Sequence, residues 1–139
     1  MASVLFVCVK NGGKSQIAAS LMRLKEGIEV HSCGTKPGTS VNGLAVQMLE
    51  EIGASASGEY PKGIDPEIVA GVDRVVILGE EADPRLFSQA QRVDVWTIDE
   101  PSHRGIEGEE RMRLVRDDIS RKVDSLYEEM TAGAEDTLH

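Results

Sequence analysis

Four short strand-like segments constrain this chain more than any other feature of its sequence. Residues 4–9 form a continuous apolar run rich in β-branched side chains, residues 74–78 resemble it, and residues 28–33 and 93–98 are the two other predicted strands. Continuous apolar runs of this length are typical of strands that are buried on both faces of a sheet. Because helical segments separate the runs, the sequence predicts an α/β fold: a four-stranded parallel sheet with helices on both faces.

The segments between the runs carry the helix signals. Apolar side chains recur every three or four residues over 15–25, 41–52 and 107–130, which predicts amphipathic helices. Asp-Pro pairs at 65–66 and 83–84 predict two shorter helices, because Asp caps a helix and Pro fits its first turn. The tail from about residue 131 is expected to fray. No repeat or linker divides residues 1–139, so a single domain is expected.

Charge and cysteine content disfavour several classes of function. The net charge of −9 disfavours nucleic acids and membranes as partners, because both attract basic surfaces. Two cysteines cannot form a disulfide framework, and the three histidines are scattered, so we expect no metal and no bound cofactor. The first apolar run is too short for a signal peptide or a membrane span, so a reducing cytoplasm is the expected location.

The loop after the first apolar run carries the strongest chemical signal. It reads Cys8-Val9-Lys10-Asn11-Gly12-Gly13-Lys14-Ser15 and precedes a helix. Ligands of parallel sheets bind beyond the carboxyl ends of the strands. The glycines allow a tight turn in which backbone N–H groups converge beside a helix N-terminus, where anions bind. The sequence therefore predicts an oxyanion site formed by residues 9–14: Val9, Lys10, Asn11, Gly12, Gly13 and Lys14.

Cys8 is the predicted nucleophile of this loop. A helix N-terminus and a nearby lysine favour the thiolate form of a cysteine, and the hydroxyl of Ser15 can donate a hydrogen bond to it. A non-catalytic interpretation treats Cys8 as a small apolar side chain at a strand end. A nucleotide-binding interpretation also exists, because Cys8 occupies the first glycine position of G-x-x-x-x-G-K-[ST]. The missing glycine and the short chain disfavour it.

Over most of its length, the chain resembles low-molecular-weight protein tyrosine phosphatases and the arsenate reductases that share their fold. Cys8 to Ser15 resembles the family's C-x5-R-S loop, and Ser-Cys-Gly-Thr at 32–35 resembles its S-A-G-T segment. Asp99-Glu100-Pro101 occupies the place of its acid-bearing loop. The Asn-Gly-Gly-Lys-Ser-Gln version of the loop is more similar to the arsenate reductase branch. Ser102 and His103 stand where the phosphatases carry tyrosines, so a tyrosine phosphatase is the second hypothesis.

The resemblance implies that Cys8 attacks arsenate while Lys14 and the loop hold its oxygens. Ser15 would stabilise the Cys8 thiolate, and Asp99 or Glu100 would protonate the departing hydroxyl, a role that suits a carboxyl group of raised pKa. Phosphate and sulfate would compete with arsenate. Because Lys14 replaces the family's arginine, oxyanion binding is expected to be weaker. An anion-binding regulatory domain is the non-enzymatic alternative.

The reductant implied by the resemblance is external. Thioredoxin-linked relatives use two further cysteines after the third strand, and residues 79–84 contain none. We therefore expect a low-molecular-weight thiol, mycothiol or glutathione, as co-substrate, and a glutaredoxin-like protein to complete reduction to arsenite. Cys33 is expected to be a buried filler rather than a resolving thiol. Tyr60, Lys62 and Arg104 are candidates for thiol or substrate contacts.

Overall fold

A computed structural model of the protein describes residues 1–136. Its four strands form one sheet in the order β2-β1-β3-β4, and every neighbouring pair is parallel. The strands are β1 (Ala2–Cys8), β2 (Ile28–Gly34), β3 (Arg74–Leu78) and β4 (Val93–Trp96). The predicted four-stranded parallel sheet is confirmed.

Helices cover both faces of the sheet, as the sequence predicts. They are α1 (Lys14–Arg23), α2 (Gly43–Glu50), α3 (Pro66–Gly71) and α4 (Gly108–Asp136), with 3₁₀ turns at Pro84–Phe87 and Pro101–Arg104. The helices α1, α2 and α4 enclose the larger core, to which β1 contributes Val4 and Phe6. The helix α3 and the first 3₁₀ turn enclose the smaller core, to which β1 contributes Leu5 and Val7. Alternate side chains of β1 thus enter opposite cores.

The boundaries of several elements differ from the sequence-based expectations. The strand predicted over 93–98 ends at Trp96, because its only neighbour, β3, ends at Leu78, with which Trp96 is paired. The helix α2 begins at Gly43 because the side chain of Asn42 caps it, accepting hydrogen bonds from the next N–H groups. The helix predicted after Asp83 is a short 3₁₀ turn.

The carboxyl-terminal helix is longer than expected. It begins at Gly108 and continues to Asp136, so residues 131–136, where fraying is expected from the sequence, are helical in the structure. Met130 still packs against the larger core. Residues 137–139 lie outside the described part of the chain. No helix within residues 1–136 is long and apolar enough to cross a membrane.

The strand order places one crevice at the edge formed by the carboxyl ends of β1 and β3. The chain leaves β1 toward β2 on one side, whereas β3 lies on the other side of β1. Connections that diverge in this way open a crevice between the loops, and this is where α/β sheets bind ligands. Cys8 ends β1 at this crevice.

Candidate active site

The loop between β1 and α1 presents its N–H groups to the crevice because its carbonyl groups are occupied. Four loop carbonyls, those of Cys8, Val9, Lys10 and Gly12, accept hydrogen bonds of 2.6–3.2 Å from backbone N–H groups of residues 35–42. The N–H groups of Val9, Lys10, Gly12, Gly13 and Lys14 donate to no atom of residues 1–136. No side chain caps the N-terminus of α1 either. Free N–H groups beside a helix N-terminus form a cradle for an oxyanion.

Asn11 holds this loop in shape. It is fully buried and has a φ of 53°, the left-handed conformation that Asn tolerates better than most residues. Its side-chain oxygen accepts a hydrogen bond of 2.9 Å from the Lys62 N–H, which fixes the orientation of the amide. The amide nitrogen therefore points to Ser15 and donates to its hydroxyl at 2.7 Å.

The sulfur of Cys8 receives two hydrogen bonds. The backbone N–H of Asn11 donates to it at 3.2 Å, and the Ser15 Oγ lies 2.9 Å away. Because Ser15 already accepts from Asn11, its own proton is available to point at the sulfur. Both donors can stabilise a thiolate. The structure thus places Ser15 beside Cys8, as the sequence predicts.

Gln16 supports the same arrangement and was missed from the sequence. It is fully buried, and its amide nitrogen lies 3.1 Å from the Asn11 carbonyl and 3.3 Å from the Tyr60 carbonyl. Its side-chain oxygen has no hydrogen-bond partner among the described residues. A polar residue one position beyond Ser15 is the only sequence signal, because an amphipathic helix predicts an apolar side chain at a buried position.

Gly34, at the end of β2, allows the loop to lie against the sheet. A Cβ atom at this position would stand 2.5 Å from the Val9 carbonyl oxygen and 2.9 Å from the Asn11 nitrogen. Both obstacles are backbone atoms of the loop that are already hydrogen-bonded, the Val9 oxygen to the Lys36 N–H and the Asn11 nitrogen to the Cys8 sulfur. This close approach explains why β2 ends with glycine, at the third position of the segment 32–35 that resembles S-A-G-T.

Two adjoining cavities meet at the loop. The first, of about 450 Å³, is lined by Cys8 and the charged residues Lys10, Lys14, Glu81, Glu100 and Arg111, together with core residues of α4. We call it the Cys8 cavity. The second, of about 740 Å³, shares Lys14, Glu100 and Arg111 with it and extends to Asp99 and Arg104. We call it the outer cavity. Within the described residues, no Tyr, Phe or Trp lines either one.

Both candidate acids are held by arginines. Glu100 forms a two-pronged pair with Arg111 at 2.7 and 3.0 Å and accepts a hydrogen bond of 2.6 Å from Ser102. These contacts, Arg111 first, lower the pKa of Glu100 to about 2. Asp99 pairs with Arg104 at 2.8 and 2.9 Å, which lowers the pKa of Asp99 as well. The raised pKa expected of an acid is therefore absent from both, because each carboxylate is paired with a guanidinium.

Comparison with known proteins agrees with this geometry. A family model described as low molecular weight phosphotyrosine protein phosphatase matches residues 3–135. The chain belongs to this family. Membership in the family argues against the nucleotide-binding interpretation of the loop.

Similar members of the family bear arsenate reductase names. A glutaredoxin arsenate reductase of Synechocystis is 30% identical over 131 residues, covering 91% of this chain and 96% of that protein. A structure titled as an arsenate reductase in the phosphate binding state has a TM-score of 0.80 at 28% identity, covering 94% and 99% of the two chains. A thioredoxin-dependent arsenate reductase of Corynebacterium glutamicum has a TM-score of 0.76 at 25% identity, covering 96% of this chain and 63% of that one.

Two of the three residues predicted to contact thiol or substrate lie away from the Cys8 cavity. The side chains of Tyr60 and Lys62 line a separate cavity beside Cys33. The Lys62 ammonium donates to the Tyr60 carbonyl at 2.8 Å and lies over the Tyr60 ring. The backbone N–H of Lys62 nevertheless acts on the site, because it orients Asn11. The third residue, Arg104, lines the outer cavity.

Cys33 lies on the opposite face of the sheet from Cys8. It is paired with Val7 across β1 and β2, and it packs with Val7 in the smaller core. Since side chains alternate along a strand, Cys8 points to the other face. Burial, followed by the neighbouring Cys8, raises the pKa of Cys33 to about 12. A neutral, buried thiol facing the other core fits the expected filler role.

Arg111 is the other residue of the site that was missed from the sequence. Charged side chains on an amphipathic helix ordinarily face solvent, and nothing in the spacing of α4 distinguishes Arg111 from Arg113. Only the packing of Met112 and Val115 into the larger core, which orients the first turns of α4, places Arg111 in the Cys8 cavity.

Proposed function

We propose that this protein is an arsenate reductase that uses the Cys8 thiolate as its nucleophile. The observation that carries the proposal is the position of the Cys8 sulfur. It receives hydrogen bonds from Ser15 and the Asn11 N–H, beside a loop of unoccupied N–H groups and Lys14. Arsenate reductase names among relatives that span almost the whole chain support the choice of substrate.

In the first step, the Cys8 thiolate attacks arsenic and a sulfur–arsenic bond forms. The N–H groups of residues 9–14 and Lys14 stabilise the arsenate oxygens, on which charge accumulates. One arsenic–oxygen bond breaks, and the departing hydroxyl takes a proton and leaves as water. Glu100 is the better-placed donor of that proton, because it lines the Cys8 cavity and Asp99 lines only the outer one.

In the next steps, a low-molecular-weight thiol takes the arsenic from Cys8. Its sulfur bonds to arsenic, the Cys8–arsenic bond breaks, and Cys8 leaves as a thiolate that Ser15 stabilises. A glutaredoxin-like protein then attacks the sulfur of the conjugate. The sulfur–arsenic electron pair stays on arsenic, which is thereby reduced to arsenite, and a mixed disulfide remains. The orientation of Cys33 supports an external thiol, since it points into the smaller core.

The outer cavity is the proposed site of the thiol co-substrate. Its volume of about 740 Å³ lies within the range of small-molecule sites, and it adjoins the Cys8 cavity along Lys14 and Arg111. Arg104 and Arg111 can bind the carboxylates of glutathione or the hydroxyl groups of mycothiol. A cytoplasmic location, where such thiols are reduced and abundant, is part of the same proposal.

A phosphatase is the second candidate, because it shares the first step. Its nucleophile and oxyanion loop would be the same, with phosphorus in place of arsenic and water as the second attacker. The family description favours it. The absence of Tyr, Phe and Trp among the described residues that line the two cavities disfavours an aromatic substrate such as phosphotyrosine.

The test measures both reactions on one preparation of the protein. Arsenite formation is followed with mycothiol plus a glutaredoxin-like protein, with glutathione plus glutaredoxin, and with thioredoxin plus its reductase. Hydrolysis of an aryl phosphate is measured in parallel. We expect arsenite formation with at least one of the two thiol systems and little hydrolysis of the aryl phosphate.

Two variants control the measurement. Cys8→Ser removes the nucleophile and is expected to abolish turnover, whereas Cys33→Ser is expected to retain it. Rapid hydrolysis without arsenite would overturn the proposal in favour of a phosphatase. Arsenite formation with thioredoxin alone, abolished by Cys33→Ser, would show that the reductant route is internal.

A further inference from the structure

The charged side chains that line the Cys8 cavity are three cations, Lys10, Lys14 and Arg111, and two carboxylates, Glu81 and Glu100. An ammonium is a point charge, whereas a guanidinium is a planar fork that binds two oxygens of one oxyanion at once. Arg111 is the only one of the three with a fork, and it comes from α4 rather than from the oxyanion loop. The residue best suited to hold a tetrahedral oxyanion is therefore outside the loop.

The core of the domain fixes the position of Arg111. Its neighbour Met112 is 7% exposed and Val115 is 2% exposed, and both line the Cys8 cavity. Because these side chains anchor the first turns of α4, Arg111 stands at the junction of the two cavities. Its position follows from buried packing and not from a flexible surface segment.

The guanidinium of Arg111 is only partly occupied. Its Nε and Nη2 atoms donate to the two carboxylate oxygens of Glu100, at 2.7 and 3.0 Å. Its Nη1 atom has no hydrogen-bond partner among residues 1–136. Glu100 occupies, on this arginine, the place that the two oxygens of an arsenate or phosphate ion would fit.

We propose that Arg111 binds the substrate oxyanion in the Cys8 cavity, and that Glu100 competes with the oxyanion for this arginine. The inference deepens the proposed function and rests on it. In the unliganded protein, Glu100 keeps the guanidinium oriented and partly neutralised. When a dianion binds, the guanidinium transfers hydrogen bonds from Glu100 to the oxyanion.

The exchange also makes Glu100 a better acid for the first step. The pair with Arg111 is the main reason that the pKa of Glu100 is near 2. Losing that pair and gaining a nearby dianion both raise the pKa of a carboxyl group. Substrate binding thus favours the protonated form of Glu100 beside the departing hydroxyl.

The test measures oxyanion binding without turnover. Alkylation of Cys8 by iodoacetamide is followed by peptide mass spectrometry at increasing concentrations of inorganic phosphate, which gives a protection constant normalised to the rate without phosphate. Arg111→Gln is expected to weaken protection about 10- to 100-fold, the loss that follows from a charge-assisted hydrogen-bond pair. Arg111→Lys is expected to restore part of it.

Arg113→Gln is the matched control. Arg113 lies on the same helix and forms a similar two-pronged pair, with Glu51 at 2.8 and 2.9 Å, away from both cavities. Its protection constant is expected to stay within twofold of the wild type. A protection constant for Arg111→Gln that also stays within twofold would overturn the inference.

Glu100→Gln separates binding from a purely structural role of the pair. If Glu100 competes for Arg111, Glu100→Gln alone lowers the phosphate concentration needed to protect Cys8. The same substitution has much less effect when Arg111→Gln is also present. If the pair only anchors the loop, both single variants weaken protection alike, which would contradict the competition.

The outcomes also separate this inference from the proposed function. If the wild type reduces arsenate and Arg111→Gln binds phosphate as tightly as the wild type, the proposed function stands and this inference fails. If the wild type reduces no arsenate but Arg111→Gln loses protection by phosphate, the inferred oxyanion site stands and the proposed reductase function fails.

Discussion

At the scale of single residues, buried polar side chains give the site its chemistry. Asn11 and Gln16 are fully buried, and between them they fix the left-handed turn of the loop and the orientation of Ser15. Burial makes each hydrogen bond strong and each loss costly, because a buried partner left without a hydrogen bond is not solvated by water. The proximity of Cys8 and Ser15 was predictable from the sequence, whereas the contacts of Gln16 were not.

Ser15→Ala tests the hydrogen bond to the nucleophile. Removing the hydroxyl deprives the Cys8 thiolate of one donor and leaves the Asn11 amide without its acceptor. Alkylation of Cys8 at pH 7 is expected to slow about 3- to 10-fold, because the sulfur loses one of its two hydrogen-bond donors. The measurement is the pseudo-first-order rate of iodoacetamide modification.

Ser20→Ala is the control for that comparison. Ser20 lies on the same helix and is buried, but its hydroxyl has no hydrogen-bond partner among the described residues. Its removal is expected to leave the alkylation rate unchanged. Equal rates for Ser15→Ala and the wild type would show that Ser15 does not stabilise the thiolate.

At the scale of elements, the site is one loop that two other loop segments hold by hydrogen bonds. The segment at 35–42 holds the loop's carbonyls, and the Lys62 N–H holds Asn11. The sequence predicted the strands and helices because hydrophobic periodicity is local. It did not predict which face of α4 would carry Arg111, or that residue 62 would act through its backbone. Those contacts join residues 50 and more positions apart in the sequence.

Gly34→Ala tests the close approach of the loop to β2. The new methyl group would stand 2.5 Å from the Val9 carbonyl oxygen, so the loop or the strand must move. We expect a loss of about 1–3 kcal/mol in the free energy of unfolding, measured by urea denaturation, and weaker protection of Cys8 by phosphate.

Gly43→Ala provides the comparison for that variant. A Cβ atom at Gly43 meets nothing within 4 Å, and the residue is the first of α2. Its stability is expected to remain equal or to rise slightly, since Ala favours a helix. A Gly34→Ala protein as stable as Gly43→Ala would mean that the loop is not held against the strand.

At the scale of the whole molecule, charge is distributed so that an acidic protein can bind an anion. The net charge is −9, yet the Cys8 cavity is lined by three cations, Lys10, Lys14 and Arg111, against the two carboxylates Glu81 and Glu100. Distant surface carboxylates are screened beyond about 8 Å at physiological ionic strength, so the local cations and N–H groups dominate. The composition carried no information about this local balance, which depends on tertiary packing.

Carboxylates paired with arginines make stability depend on pH. Glu51 pairs with Arg113 and Arg116 between α2 and α4, which lowers its pKa to about 2, and Glu100 is similar. A carboxyl group whose pKa is lower in the folded protein stabilises it above its unfolded pKa. The unfolding free energy should therefore be level above about pH 4.5 and fall from there toward pH 2, as urea titrations at successive pH values would show.

Glu51→Gln is expected to flatten part of that acid limb and to lower stability at pH 7. Glu50→Gln is the control, because exposed Glu50 forms no ion pair within 4 Å with any residue of 1–136. An acid limb unchanged in Glu51→Gln would show that the link between α2 and α4 contributes nothing to folding.

The opposite orientations of Cys8 and Cys33 have a kinetic consequence. In the proposed reaction, Cys33 offers no intramolecular thiol for releasing arsenic from Cys8, because it is directed into the smaller core. Each cycle then requires a collision with a solute, so adduct lifetime varies inversely with thiol concentration. Under the proposed function, the rate of arsenite formation would therefore report the concentration of reduced small thiols, and depletion of those thiols would leave Cys8 bound to arsenic.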